Sequence, residues 1–171
     1  CSKWARPGPR NVSTVDIADK FNDHVEADLM FVYNAIIFHM IDRCTRWHFA
    51  KVIPNKEGPT LLAAISEWIK MFGPPTALTS DSESGLVQYA GAQEFFPHHG
   101  INFKPRAKGM QVPHIDRRGA LVREVIHRIV EQLEAEAITL PFHLIVDEAT
   151  FVTNAMLAID GWTPYNAVLG R

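Results

Sequence analysis

The chain has 171 residues, 47% of them hydrophobic and 21% charged, with a formal net charge of −2. This length suits one domain with a full core, and the composition is that of an ordinary globular protein. The charge excludes a protein that holds nucleic acid by a uniformly basic surface, so any such contact must come from cations gathered on one face or from other domains. Two cysteines, Cys1 and Cys44, make neither a disulfide framework nor a CxxC pair, which points to a reducing compartment. No apolar run approaches the length of a membrane span, and no signal-peptide pattern is present. A first residue that is Cys and not Met suggests excision from a longer polypeptide.

Residues 1–20 carry Trp4, Arg6, Pro7, Gly8, Pro9 and Arg10 with little periodicity and read as a linker or amino-terminal arm. Val25 to Val32, Ala35 to Asp42 and Arg46 to Ile53 are three strand candidates separated by short corners, an antiparallel meander. Asp28 falls in the middle of the first strand, the one expected to be central. A carboxylate buried there costs several kcal/mol unless it is paired or bound to a metal.

Thr60 to Phe72 has the three- and four-residue apolar spacing of an amphipathic helix, ended by Gly73-Pro74-Pro75. Ala77 to Ser80 is then a short buried strand that runs into Asp81. Acids at the carboxyl ends of strands after a crossover helix stand where such sheets bind ligands. Leu86 to Phe96 reads as a second helix and Ile101 to Lys104 as a fifth strand. The segment from Pro105 to Pro113 is a loop carrying Arg106 and Lys108. A helix runs from His114 to about Ala135, with Val122, Val125, Ile126, Ile129, Val130 and Leu133 as its apolar stripe and Asp116 in its first turn, about 180° from Val125. Pro141 to Ile159 forms a last helix, closed by Gly161-Trp162-Thr163-Pro164.

The expected architecture is therefore α/β, a mixed sheet of five strands with helices on its faces. Asp28, Asp81 and Asp116 are expected to converge at one edge of it. Three such carboxylates would hold two divalent cations, Mg²⁺ or Mn²⁺, that activate a nucleophile and stabilise the leaving oxygen of a phosphodiester. Arg106, Lys108, Arg117 and Arg123 lie beside these acids in the chain and are the expected contacts to backbone phosphate. Glu124 is a reserve third acid, about 80° round the helix from Asp116. The eight histidines show no pair at helical ligand spacing; His114, two residues before Asp116, is expected to be an ordinary exposed imidazole, the alternative being a contact to substrate phosphate.

Several short motifs occur in a telling order: Phe21 to Asp28 (FNDHVEAD), Ile41 to Trp47 (IDRCTRW), Phe72-Gly73-Pro74-Pro75, Leu78 to Asp81, and Trp162 to Asn166 with Leu169-Gly170-Arg171. Together they resemble the catalytic core of retroviral and retrotransposon integrases, within the ribonuclease-H-like superfamily, over residues 21–171. The resemblance implies a ribonuclease-H-like core domain and a DDE-type polynucleotidyl transferase. Such an enzyme processes the 3′ ends of element DNA and joins them to target DNA. Asp28 and Asp81 match the family's first two acids. The third is Glu in the family, often as Glu-Arg at a helix start, and here the matching position is Asp116-Arg117. Its shorter side chain reaches roughly 1.3 Å less far, and a displacement of that order can cost about 100-fold in rate. Cys1 matches the last ligand of the family's zinc-binding amino-terminal module, but the chain holds no partner ligands, so no zinc is expected.

The resemblance further implies a homodimer or higher multimer, with the Thr60 to Phe72 helix and Trp68 contributing, Trp68 being equally open to a place in the core, and residence in the nucleus and in cytoplasmic virus-like particles. Two alternatives accompany it. One is a catalytically impaired or domesticated core serving as a dimerisation or DNA-binding scaffold. The other is a ribonuclease-H-like nuclease that hydrolyses without joining strands.

Overall fold

The structure is a computed structural model and describes residues 18–81, 85–106, 113–158 and 161–170. Residues 1–17 of the expected arm, Cys1 among them, and Lys108 lie outside the described residues. Five strands, β1 (His24–Val32), β2 (Ala35–Asp42), β3 (His48–Ile53), β4 (Ala77–Asp81) and β5 (Asn102–Arg106), form one sheet in the order β3-β2-β1-β4-β5. β1, β2 and β3 pair antiparallel, as the short corners require, whereas β4 and β5 join in parallel after helical crossovers. Asp28 therefore does lie on the central strand.

Helices cover both faces. On one, α1 (Gly58–Phe72), α2 (Gly85–Gln88) and α3 (Ala90–His98) pack against Val25, Ala27, Phe38, Met40 and Leu78. On the other, α4 (Pro113–Ala135) and α5 (Phe142–Met156) pack against Met30, Val32, Ile37 and Ala50 through Val122, Ile126, Ile145, Val146 and Ala149. The alternation along β1 sets this division: odd residues face α1, and even residues, Asp28 among them, face α4.

Several details bear on the sequence reading, and one corrects it at a site residue: Arg106, expected on a loop, instead ends β5. Trp68 is wholly buried in the core on the α1 side, where its Nε1 donates to Asn22 Oδ1 at 2.8 Å, so it is not part of any dimer surface. The helix expected from Leu86 to Phe96 is divided at Tyr89, whose backbone is extended. The ring of Tyr89 occupies space that a Cβ on Gly58 or Gly91 would fill, at 2.4 and 2.6 Å from its atoms, so two glycines make room for the break. The third strand begins at His48, because Arg46 adopts a left-handed φ of 64°.

The closing segment forms a further helix, α6 (Pro164–Leu169). Thr163 accepts the Asn166 N–H and Asn166 reaches back to it, a capping box, with Pro164 in the first turn and Gly170 in the left-handed region at the end.

Asn22 joins three of the motif segments. Its Nδ2 donates to the Phe72 and Gly73 carbonyls at 3.1 Å, and its N–H donates to Asp42 Oδ1 at 2.9 Å. Asp42, wholly buried, also accepts the Thr45 N–H and hydroxyl at 2.6 and 2.8 Å. Burial raises its pKa, and these hydrogen bonds pull back against it.

Candidate carboxylate site

Strand register brings the first two acids together. Ala27 is paired with Ser80 in the parallel ladder between β1 and β4, so Asp28 and Asp81 stand one step beyond, side by side on the face toward α4. Asp81 is in turn paired with Arg106 at the end of β5. Two carboxylates and a guanidinium thus occupy the same level on three adjacent strands.

Asp28 is half-buried, and its Oδ1 accepts the N–H of Leu29 at 2.8 Å. Burial raises its pKa most. The Leu29 hydrogen bond and the charge of Arg106 oppose that rise, and the charges of Asp116 and Asp81 add to it. Both other acids named by the sequence are therefore within electrostatic reach of Asp28. Among the described residues, however, no three His, Cys, Asp or Glu side chains are drawn close enough to form a ready metal cage. The acids share a neighbourhood without closing on one point.

Asp116 is exposed in the first turn of α4. The buried side of the helix is carried by Ile115, Arg118, Val122 and Ile126. Asp116 lies about 120° from Val122 on that wheel, on the flank of the buried side and not opposite it. Gly119, one turn on, rests on His39, the cross-strand partner of Asp28: a Cβ at Gly119 would stand 3.1 Å from His39 Cε1. The glycine lets the start of α4 settle close to the sheet. Glu124 is exposed and ion-paired with Arg128 one turn away, on the solvent side of the helix.

The four expected cations divide. Arg106 acts on Asp28 and on Glu26, and Arg123 acts on His39, so both belong to the carboxylate face. Arg117, exposed, lines a separate pocket with His114, and Lys108 lies outside the described residues. His114 is not the ordinary exposed imidazole expected. It is half-buried, and burial together with Arg46, Arg43 and Arg117 pushes its pKa down to about 4.

Sequence reasoning also missed several polar groups. Lys56 lines a cleft of about 200 Å³ with Asp28, Ser80 and Asp81, and its Nζ lies 5.8 Å from the Phe31 ring centroid. Glu26 is buried and ion-paired with Arg43; burial raises its pKa against that partner. His39 and His48 meet beneath α4, Nδ1 to Nε2 at 3.1 Å, both buried. Burial, and secondarily Arg123, takes His39 down to about 3; burial, with His39 and Arg118, pushes His48 well below the usual range. Asn154 holds the His48 backbone through both its amide groups. Only the strand register, read to the residue, would have predicted that His39 flanks Asp28.

No family model and no curated protein matches the sequence. Solved structures do match. The chain is similar to the HTLV-2 integrase catalytic core domain in complex with magnesium, in its trimeric form (TM-score 0.73, 13% identity, 85% of this chain and 95% of that one) and its dimeric form (0.74, 12%, 86% and 96%). It is similar also to the BIV integrase catalytic core domain (0.71, 16%, 87% and 95%).

Proposed function

The described residues share the fold of retroviral integrase catalytic cores. From that premise we propose that the protein is the catalytic core of a retroelement integrase, a DDE-type polynucleotidyl transferase that processes the 3′ ends of element DNA and joins them to target DNA. The observation that supports the reading is geometric: the parallel register of β1 and β4 sets Asp28 beside Asp81 on the face that α4 covers, and Asp116 stands in the first turn of α4. Like charges gathered where the end of β4 lies beside the middle of β1 cost stability, and a cation there would relieve that cost.

The donor set is oxygen only, which suits Mg²⁺ or Mn²⁺. Asp28, Asp81 and Asp116 are the residues that would hold the ions, two of them in this reading. Bound there, the metal would supply Lewis-acid stabilisation of the phosphodiester and a more acidic attacking hydroxyl. The protein's own part is positional. β1 and β4 hold Asp28 and Asp81 level with each other, and α4 carries Asp116 in its first turn on the same face of the sheet. Arg106, Arg123 and Lys56 provide cations on the same side for a polyanionic strand, with Lys108 as a further contact. Glu26 and Asp42, by contrast, are engaged in the scaffold. The likeness to cores whose structures carry magnesium supports the metal assignment.

Assembly as a homodimer or higher multimer is part of the proposal. Leu144 and Phe151, about 20° apart on the helix, leave an apolar side of α5 exposed, and similar cores are described in dimeric and trimeric forms. Nuclear and virus-like-particle residence follows from the same reading. No helix among the described residues is long and apolar enough to cross a membrane.

The scaffold reading keeps one specific support, since the third acid is Asp and the three carboxylates do not close into a cage among the described residues. A strand-transfer assay with hydrolysis scored separately, run on a full-length protein carrying this core, distinguishes the readings. Joined product that disappears with Asp28→Asn supports the transferase. Hydrolysis without joining indicates a nuclease, and neither product indicates a scaffold.

A further inference from the structure

A second polar pocket lies on the far side of α4. His114, Arg117 and Arg118 line it at helical spacing, about 150° round the helix from Asp116 when averaged over the pocket side. Arg46 completes it from the corner before β3, and Ile41 and Leu157 give it an apolar floor. Its volume is about 320 Å³, and no carboxylate lines it among the described residues.

The positive charge is only partly matched nearby, and Arg46 Nη1 also donates to the Arg43 carbonyl. Arg118 is 3% exposed, and its guanidinium donates to the Thr153 carbonyl at 3.0 Å and the Arg46 carbonyl at 2.7 Å. The first of these caps the last turn of α5, a structural use, but two carbonyls occupy only part of a five-donor group and neutralise none of its charge. Burial, and after it the like charge of Arg46, disfavour the charged form of Arg118 and lower its pKa to about 10. The acids that reach Arg46 are Glu26, already paired with Arg43, and Asp42, already accepting three hydrogen bonds.

Arg46 is also held in the left-handed region, at φ 64°, where Gly or Asn sits more comfortably. Strain retained at a charged side chain beside a cationic pocket is a mark of use. Guanidinium groups converging on a concave, partly apolar site match the fork geometry of a phosphoryl oxygen set.

We propose that this pocket is a phosphate-binding site distinct from the carboxylate edge, and that it takes a backbone phosphate of a nucleic-acid segment lying on the opposite side of α4. The anion site stands on the cation cluster alone; its nucleic-acid source rests on the proposed function.

The test is calorimetric titration of the protein with inorganic pyrophosphate at low ionic strength, in EDTA so that no metal bridges the anion to the carboxylates. Native protein is expected to bind saturably. Arg46→Asn, chosen because Asn tolerates the left-handed backbone, and Arg117→Glu, an exposed change, are each expected to weaken binding by about tenfold or more, the effect of losing a charge-assisted hydrogen bond. Asp116→Asn is expected to retain it, and unchanged thermal unfolding of the variants separates lost binding from lost folding. Absence of saturable binding, or native affinity in a folded Arg46→Asn, overturns the site. In a competition arm, duplex DNA is expected to displace pyrophosphate from native protein, and pyrophosphate that DNA does not displace overturns the nucleic-acid source. Metal binding and strand transfer measured in parallel report on the carboxylate reading independently, so each can fail alone.

Discussion

Two acidic regions of the molecule lie within one sheet and are built in opposite ways. Asp42, wholly buried, accepts hydrogen bonds from the Asn22 N–H and from both the N–H and hydroxyl of Thr45. Asp28, only half-buried, accepts the N–H of Leu29 and faces the like charges of Asp81 and Asp116. Both carboxyls are pushed up by burial, but the first is held by donors and the second is crowded by acids. The difference separates a carboxylate tied into the fold by donors from one that the proposed function assigns to metal binding. Acid content alone does not identify a site; what surrounds each acid does.

The comparison breaks most visibly at Asp28. Asp28→Asn should lower strand transfer by about 10³-fold or more, the scale seen when a group acting on the transition state is removed. Its urea midpoint at neutral pH should stay level or rise, because an ionised group that the fold disfavours has gone. A midpoint that falls with the activity would make Asp28 structural. Asp42→Ala should do the reverse in kind. It leaves the Asn22 and Thr45 donors unmatched in the interior and should cost about 3 kcal/mol in urea unfolding, with metal affinity retained by the molecules that remain folded.

Gly119→Ala sharpens the account of the third acid. A methyl pressed against His39 should lift the start of α4 and slow strand transfer by about tenfold. Asp116→Glu added to it should recover part of that loss, a coupling that a double-mutant cycle would measure. Strictly additive effects would mean that helix height and side-chain length are unrelated.

The smallest effect near neutrality comes from the buried histidines. His39 titrates at about 3 in the fold against 6.5 for a free imidazole. The unfolded chain therefore takes up the proton first. The contribution of His39 is intact above 6.5 and is lost progressively as the pH falls from there toward about 3. By pH 5.5 the loss from one such histidine is about 1 kcal/mol, and His39→Gln should flatten the stability curve by that share in pH-dependent urea unfolding.

Much of this was legible in the sequence because the motif residues that carry the resemblance are largely structural. Asn22 ties Phe21–Asp28 to the Phe72-Gly73-Pro74 helix end, and Asp42 and Thr45 close the corner between β2 and β3. Local hydrogen bonds of this kind need fixed residue types at fixed spacing, so they leave a readable pattern. The mixed sheet and the central place of Asp28 followed from strand spacing and short corners.

What escaped depended on contacts between distant segments. The pairing of His39 with Asp28, the rest of Gly119 on that ring, and the gathering of Arg46 with Arg118 all arise only when register and helix rotation are known to the residue. The same limit explains Arg117, whose neighbour in sequence faces the carboxylates while it faces away. It explains Trp68 as well, which helical spacing alone could not assign to core or surface.

The central claim is that Asp28, Asp81 and Asp116 jointly hold divalent metal. It is tested most directly by calorimetric titration of Mn²⁺ and Mg²⁺ into the native protein and into the Asp28→Asn, Asp81→Asn and Asp116→Asn variants. The account predicts saturable binding by the native chain and at least about a tenfold loss of affinity in each variant. A native chain that binds no metal, or an Asp116→Asn protein that binds as the native does, would contradict it.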